Sequence, residues 1–172
     1  TLAAIVVALT VVVDHAVSGQ TLPAQITSVT RLGPSDPGGA DTFGSNVAIE
    51  GQVAVVGAAN ADDHCGKDLA NQHCGAAYVF ERQNGAWIER AKLVASDASS
   101  RSEFGENVKI SGNIIAIGAP GERNETGAVY IFEKIGNEWT EQAKLTANDE
   151  AENAFFAGSI ALGQDLFVAG AE

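Results

Sequence analysis

The chain has 172 residues with 22 acidic and 10 basic side chains, so its formal net charge is −12 with neutral histidines. Clustered Lys and Arg bind nucleic acids and anionic membranes, so this charge balance argues against both, and we expect no nucleic-acid partner. Hydrophobic residues make up 45% and charged residues 19% of the chain, which excludes wholesale disorder. The 19 glycines indicate many tight turns between short elements.

The N-terminal segment 1–13 is apolar except for two threonines, and it is too short to cross roughly 30 Å of hydrocarbon. It resembles the hydrophobic region of a signal peptide, and the small residues Ala16 and Ser18 suit cleavage near Ser18 or Gly19. We predict a signal peptide over 1–19 whose true start is missing, because neither Met nor a basic region precedes it. A retained signal anchor and a buried strand are the alternatives. A signal peptide implies a secreted or cell-surface protein, extracellular or periplasmic, in an oxidising compartment.

The remainder of the chain is an internal repeat. An apolar segment opened by a phenylalanine starts at Phe43, Phe104 and Phe156, which are 61 and 52 residues apart. Nine extra residues between Gly57 and Gly75 account for the difference. Further residues recur in the same register, namely Asp36, Asp97 and Asp149; Gly57, Gly118 and Gly170; Tyr78 and Tyr130; Trp87 and Trp139; Lys92 and Lys144.

Each complete unit contains four short apolar runs whose lengths, four to eight residues, predict strands. In the first two runs, 108–110 and 114–117 in the second unit, apolar residues are consecutive, as in strands buried on both faces. Gly112 lies in the tight turn between them, where a positive φ is needed. The fourth run, 139–145, is amphipathic and charged, which predicts an outer strand. Four strands repeated at about fifty residues predict an all-β fold of four-stranded antiparallel β-propeller blades.

The sequence Phe104-Gly105, followed by Gly118-Ala119-Pro120, resembles the FG-GAP repeat, the blade motif of integrin-α-like propellers and of many secreted bacterial and eukaryotic proteins. The first unit departs from the motif with Gly57-Ala58-Ala59, and the third has Phe156-Ala157. The resemblance covers residues 31–172 and implies a partial β-propeller.

The repeat units, 31–92, 93–144 and 145–172, supply about two and a half blades of an incomplete propeller that occupies residues 20–172. Propellers close with about four to eight blades, so we expect a fragment of a larger ring whose partners include the remaining blades of its own chain. The run 26–32 resembles the outer-strand run 88–93, and we expect it to complete the last blade of the ring.

Members of this family often bind calcium through an Asp-rich loop between the two inner strands. Here short turns around Gly51, Gly112 and Gln164 replace that loop, and they hold too few oxygen ligands for the six to eight that Ca²⁺ takes. We therefore predict no cofactor and no metal site. We interpret the other loop acids as a solvated surface, with a divalent cation site as the alternative; they are Asp36, Asp41, Asp62, Asp63, Asp97, Glu103, Asp149, Glu150 and Glu152.

Both cysteines, Cys65 and Cys74, lie in the inserted loop. In an oxidising compartment we predict a disulfide between them, worth roughly 2.5–3 kcal/mol in the chain-entropy model. Zinc held by two His-Cys pairs and free thiols are the alternatives. Because loops on rigid scaffolds tend to carry recognition, we predict that the insertion contacts a ligand through Asp62, Asp63, His64, Lys67, Asp68 and His73.

The repeated aromatic residues are interpreted as packing between neighbouring sheets, with stacking against sugar rings as the alternative. The triplet Asn124-Glu125-Thr126 is an N-glycosylation sequon, so Asn124 is a candidate glycosylation site.

The sequence contains neither a G-x-S-x-G elbow nor an H-E-x-x-H pair, and its acids show no spacing that selects a catalytic couple. We predict that the chain is not an enzyme but a secreted or cell-surface binding or adhesion module for extracellular protein or glycan ligands. The alternatives are a scaffold domain of a larger secreted hydrolase or lyase, and a purely structural repeat.

Overall fold

The computed structural model describes residues 6–12, 25–38, 41–62, 73–148, 153–164 and 166–171. The predicted all-β class is confirmed, because only one short helical turn, α1 (Glu122–Glu125), accompanies the strands in these residues. The strands are β1 (Val6–Val12), β2 (Gln25–Leu32), β3 (Val47–Glu50), β4 (Val53–Ala58), β5 (Ala76–Gln83), β6 (Ala86–Leu93), β7 (Asn107–Ser111), β8 (Ile114–Ala119), β9 (Ala128–Ile135), β10 (Glu138–Leu145), β11 (Ser159–Leu162) and β12 (Phe167–Gly170).

The strands form two complete four-stranded antiparallel sheets and two hairpins. Blade 1 has the order β3-β4-β5-β6 and blade 2 the order β7-β8-β9-β10. The hairpins are β1-β2 and β11-β12, and the latter begins a third unit. The two blades share their register, because the outer strand bulges at Arg90 in blade 1 and at the equivalent Gln142 in blade 2.

The tight turns between the inner strands are formed as predicted. Gly51 and Gly112 adopt φ values of 57° and 59°, which side chains other than glycine rarely take. The β5-β6 turn uses Asn84 and Gly85 with φ values of 49° and 84°, the pattern of a type I′ hairpin.

Blades 1 and 2 pack face to face, and this packing explains the consecutive apolar residues of the inner strands. In β8, Ile115 and Ile117 belong to the cluster shared with Val55 of blade 1, whereas Ala116 packs towards Ile160 of the third unit. Successive side chains of a strand point to opposite faces, so a strand between two sheets needs apolar residues on both. The prediction of two-sided burial is confirmed for β4 and β8.

The same prediction is wrong for β3, the innermost strand of blade 1. Val47 and Ile49 are 54% and 65% exposed, whereas Val108, the equivalent of Val47 in β7, is fully buried. The two strands differ because of the sheets beside them. Blade 1 covers β7, whereas no described inner strand covers the corresponding face of β3.

The Phe-Gly step brings the backbones of neighbouring blades into contact. The Phe104 amide donates a hydrogen bond of 3.1 Å to the Cys74 carbonyl, and Phe104 forms a parallel bridge with Gly75. Gly105 has a φ of 95°, and a Cβ built there would lie 2.2 Å from the carbonyl oxygen of Ala76 in blade 1. Glycine is therefore required here both by the backbone conformation and by the space.

In the third unit, Ala157 takes the place of this glycine and keeps the left-handed conformation, with a φ of 75°. A Cβ built on Gly118 would lie 2.9 Å from the Ala157 carbonyl oxygen, whereas a Cβ on the equivalent Gly57 would lie 1.9 Å from the Gly105 carbonyl oxygen. The third unit thus lies further from blade 2 at this point than blade 2 lies from blade 1.

Replacing Ala157 with glycine is expected to raise the free energy of unfolding by about 1 kcal/mol, because a left-handed alanine costs energy that glycine does not. Urea unfolding followed by circular dichroism measures the change. Ala161→Gly in the extended strand β11 is the matched control, and it is expected to lower stability by about 0.5–1 kcal/mol. Equal losses in both variants would contradict a strained Ala157.

Near the N-terminus, β1 pairs antiparallel with β2, from Val6 opposite Leu32 to Val12 opposite Gln25. The cleavage site near Ser18 or Gly19 lies outside the described residues, and the signal peptide stays a prediction. In the part of the chain that is described, no helix has the length and apolar character to cross a membrane.

Candidate functional site

Five connections lie together at one end of the blades, and we call their described residues the loop rim. Hydrogen bonds tie neighbouring connections to one another: the Glu103 amide donates to the His73 carbonyl at 3.0 Å, and the Phe155 amide donates to the Glu125 carbonyl at 2.8 Å. The loop rim comprises 33–38, 41–46, 59–62, 73–75, 94–106, 120–127, 146–148 and 153–158.

Backbone strain is concentrated in the loop rim. Of the eleven non-glycine residues with positive φ in the described chain, only Asn84 lies elsewhere. Such conformations persist where the surrounding structure imposes them, and they cluster at ligand-binding sites. The ten rim residues are Thr42, His73, Arg101, Glu103, Arg123, Asn124, Glu125, Asn153, Phe155 and Ala157.

Six of the rim residues line a polar cleft of about 420 Å³ between the loops around blade 2 and the third unit. Arg101 has a φ of 62° and forms no ion pair with another described residue. The lining consists of Ser100, Arg101, Gly121, Asn124, Glu125 and Asn153, and we call this space the rim cleft.

A second cleft, of about 380 Å³, lies at the opposite end of the blades, and the charged residues that line it pair with one another. Glu81 of blade 1 pairs with Lys134 of blade 2, and it lies 3.6 Å from Arg90. These charges hold the two blades together, so their groups are already engaged within the protein.

The acidic residue that precedes each Phe-Gly step fastens its loop to the outer strands. Asp97 accepts a hydrogen bond of 2.7 Å from the Tyr130 hydroxyl and one of 2.7 Å from the Lys144 ammonium. In blade 1, Asp36 accepts the corresponding bonds from Tyr78 at 2.8 Å and from Lys92 at 2.6 Å. Asp36 and Asp97 lie at the solvated surface, with side chains 40% and 51% exposed, but each carboxylate also joins a tyrosine and a lysine.

Blade 2 extends this arrangement with a buried carboxylate. Glu122 is 4% exposed; one of its oxygens accepts a bond of 2.8 Å from Lys144, and the other accepts a bond of 2.6 Å from the Ser99 hydroxyl. We call the group Ser99, Asp97, Glu122, Tyr130 and Lys144 the blade-2 clasp. It fixes the loops that carry the neighbouring cleft residues Ser100 and Gly121.

The clasp shifts the pKa values of its members. Burial opposes ionisation of Asp97, but hydrogen bonds from Lys144 and Tyr130 outweigh it and hold the pKa of this carboxyl below its usual value. Burial alone would lower the pKa of Lys144, yet its bonds to Asp97 and Glu122 raise it. Burial, together with the bond to Asp97, raises the pKa of Tyr130 far above its usual range. The shifted pKa values of Asp97 and Lys144 favour the ion pair, and the raised pKa of Tyr130 keeps its hydroxyl protonated as a donor.

A second pair of equivalent contacts holds the loops that follow the outer strands. Glu89 accepts bonds from the amide and hydroxyl of Ser35, and Glu141 accepts the same pair from Ser96. The rim loops are thus supported at repeated positions, which preorganises the cleft between them.

Of the predicted ligand-contact residues, the structure describes Asp62 and His73, and both lie on the loop rim. The His73 ring is half-buried, and its Nδ1 has no hydrogen-bond partner. The other members of that set, Asp63, His64, Lys67 and Asp68, lie outside the described residues.

Cys74 is fully buried, and its predicted partner Cys65 lies outside the described residues, so the disulfide stays a prediction. Asn124 is exposed beside the rim cleft, and its glycosylation stays a prediction as well. Within the described ranges, no three His, Cys, Asp or Glu side chains are grouped so that they could hold a metal ion.

The packing interpretation of the tyrosines is confirmed. Tyr78 and Tyr130 are fully buried and meet Phe43 and Phe104 edge to face, with ring centroids 5.4 and 5.2 Å apart. Trp87 and Trp139 are half-buried and pack against the hydrophobic clusters of the two blades.

Successive four-stranded antiparallel sheets that pack face to face, with a third unit begun by β11 and β12, define the chain as part of a β-propeller-type repeat protein. The model of the FG-GAP repeat matches residues 26–80, 87–132 and 139–172, and the chain belongs to this family. The three matches begin 61 and 52 residues apart, the spacing of the Phe residues. A search of curated proteins for similar sequences found no match.

The blade-2 clasp could have been predicted from the repeat, whereas the rim cleft could not. Asp36, Tyr78 and Lys92 recur in register as Asp97, Tyr130 and Lys144, so repeated charges of opposite sign could have been paired. The left-handed conformations of Arg101 and Glu125 have no counterpart in residue type, whereas Asn124 and Asn153 are of a type that tolerates this conformation.

Proposed function

We propose that this FG-GAP chain is a non-catalytic binding or adhesion module of a secreted or cell-surface protein, and that it contacts an extracellular protein or glycan through the loop rim. The observation that carries the proposal is the rim cleft, a polar space on loops anchored to rigid blades, in which four of the six lining residues are non-glycine residues with positive φ.

The chemistry of the rim cleft favours a ligand rich in hydroxyl or amide groups. Its lining offers the Arg101 guanidinium and the Glu125 carboxylate, and the carboxamides of Asn124 and Asn153 both donate and accept hydrogen bonds. A glycan or a polar peptide segment matches this mixture better than an apolar compound does. Asp62 and His73, at the two ends of the inserted loop, lie on the same rim, so a larger ligand would contact them too.

Secretion is supported by the apolar N-terminal segment and by the small residues near Ser18 and Gly19. The acidic net charge of −12 suits a soluble extracellular surface that does not adhere to other polyanions. Expression with the native N-terminus, followed by fractionation and N-terminal sequencing of the exported chain, tests this part separately from ligand binding.

Arg101→Gly is expected to weaken ligand binding by about 30-fold while raising stability by about 0.5–1 kcal/mol. The guanidinium is lost, and glycine relieves the φ of 62°. Binding is measured on an array of immobilised glycans and on a panel of immobilised extracellular-matrix glycoproteins, and stability by urea unfolding.

The matched control is Asn84→Gly, which relieves a φ of 49° in the β5-β6 turn at the opposite end. We expect it to change stability little, because Asn is favoured at this position of a type I′ turn, and to bind as the wild type does. Failure of the wild-type chain to bind any glycan or glycoprotein, or unchanged binding by the Arg101 variant, would refute the proposed role of the rim cleft.

A further inference from the structure

The described lining of the rim cleft contains one cationic and one anionic side chain. Arg101 supplies the guanidinium and Glu125 the carboxylate. The amides of Asn124 and Asn153 and the hydroxyl of Ser100 add groups that both donate and accept hydrogen bonds. None of the described lining residues has an apolar side chain, so this part of the cleft offers no pocket for an aliphatic or aromatic group.

The repeat places Arg101 where the neighbouring units have other residue types. In register, it corresponds to Ala40 in the first unit and to Asn153 in the third. Asn153 has a φ of 59° and Arg101 a φ of 62°, so both units use the left-handed conformation at this position. Asparagine tolerates that conformation better than arginine does. The backbone therefore does not account for the arginine, and the guanidinium is specific to blade 2.

The backbone that carries Arg101 is fixed against the opposite wall of the cleft. The Gly121 amide donates a hydrogen bond of 3.2 Å to the Ser102 carbonyl, and a Cβ built on Gly121 would lie 1.9 Å from the Arg101 carbonyl oxygen. The bond between Ser99 and Glu122 joins the same two loops. The two walls are thus held together before a ligand binds, which lowers the entropic cost of binding.

We propose that the rim cleft binds a sugar residue that carries a carboxylate, the uronic acid unit of an extracellular glycan; this inference rests on the proposed binding function of the cleft. The planar guanidinium of Arg101 matches a carboxylate through two parallel hydrogen bonds. Glu125 accepts bonds from sugar hydroxyls and repels a second carboxylate, so the lining suits one acidic group beside several hydroxyls. The volume of about 420 Å³ lies in the range of small-ligand sites.

An acidic peptide is the competing occupant, because its carboxylate would pair with Arg101 equally well. A sugar ring, however, presents several hydroxyls at once to Glu125 and to the two asparagine amides. A peptide side chain reaches the cleft with one carboxylate and an apolar stem, which would leave some of these groups without partners. Polar groups that lose water without gaining a partner weaken binding, so the lining favours the sugar.

The overall charge of the chain determines which probe is suitable. The formal net charge of −12 repels long polyanions, and each further carboxylate on the ligand adds to this repulsion. The pairing with Arg101 acts at short range and involves a single carboxylate. Short oligouronates are therefore better probes of the cleft than long polyuronates.

Isothermal titration calorimetry measures binding of short oligosaccharides of galacturonic, glucuronic and mannuronic acid, each compared with its carboxyl-reduced counterpart. At least one uronate is expected to bind, and reduction of its carboxyl groups is expected to weaken binding about 30-fold. An oligoaspartate of the same charge is the peptide probe, and we expect it to bind no better than the reduced sugar.

Arg101→Gln is expected to weaken binding of the uronate by the same factor of about 30, and binding of the reduced sugar by less than about two-fold. Arg90→Gln makes the same change of charge in the cleft at the opposite end of the blades, and it is expected to bind the uronate as the wild type does. Circular dichroism establishes that both variants are folded.

The combination of variant and reduced sugar is the decisive arm. The arginine and the carboxylate are two sides of one interaction, so removing both is expected to cost about as much as removing either. Additive losses would overturn the proposal, because the carboxylate would then bind elsewhere. Equal binding of a uronate and its reduced counterpart would overturn it as well.

The outcomes separate this inference from the proposed function on which it rests. Binding of a neutral glycan or of the oligoaspartate, with no uronate bound, would overturn the carboxylate-bearing sugar and leave a binding module with another ligand. Failure to bind any glycan or glycoprotein would refute the binding function itself, and this inference with it.

Discussion

Replacing Gly105 with alanine is expected to lower the free energy of unfolding by about 4 kcal/mol, which would leave a marginally stable chain largely unfolded. The new Cβ would lie 2.2 Å from the Ala76 carbonyl oxygen, and the backbone would have to hold a φ of 95°. Both atoms in this clash are fixed, because the Ala76 carbonyl belongs to β5 of the neighbouring blade. Relief requires the two blades to separate, which breaks the core between them.

The control is Gly112→Ala in the β7-β8 turn. Gly112 also has a left-handed φ, 59°, but its Cβ would have nothing within 4 Å. This variant is expected to lose only about 1 kcal/mol, the cost of the backbone conformation alone. Urea unfolding of both variants measures the difference, and equal losses would show that the close approach of the blades contributes nothing.

This comparison explains why the repeat keeps Phe and Gly together. The phenylalanine fills the core between two blades, as Phe104 does against Tyr130, and the next residue must let the backbones meet. Ala157 is the exception in this chain, and the wider approach at Gly118 is the structural consequence. The motif is therefore a packing device between blades, which is why its register predicts architecture and not ligand.

Features fixed by local physics could be predicted from the sequence. The apolar runs of β4 and β8, the turn glycines Gly51 and Gly112, and the outer strand β10 all follow from periodicity and from the left-handed conformation of glycine.

Features that depend on the adjacent blade or on adjacent loops could not be predicted in this way. Val47 and Val108 have the same residue type and the same place in the repeat, yet one is exposed and the other buried, because blade 1 covers only the second. The rim cleft also depends on its surroundings, because Arg101 and Glu125 adopt left-handed conformations that the neighbouring loops impose and that residue type does not reveal.

The blade-2 clasp supplies the second large effect. Lys144→Met is expected to cost about 3 kcal/mol, because it leaves the buried carboxylate of Glu122 without its cation and Asp97 without its ammonium donor. Lys92→Met in blade 1 is the matched control. Its carboxylate partner, Asp36, has a side chain that is 40% exposed, so water replaces the lost ammonium and the expected cost is about 1 kcal/mol.

A second substitution and a pH series separate the loss of charge pairing from the loss of packing. Adding Glu122→Gln to the Lys144 variant removes the unpaired charge and is expected to recover at least about 1 kcal/mol. The pKa of Lys144 is raised in the fold, so its contribution is complete below its unfolded value of about 10.4 and disappears as the pH rises through the folded value. Urea midpoints of wild type and variant should therefore differ by a constant amount from pH 6 to 9 and converge at higher pH. A gap that persists above this range, without recovery in the double variant, would mean that Lys144 acts through its hydrocarbon stem and not through its charge.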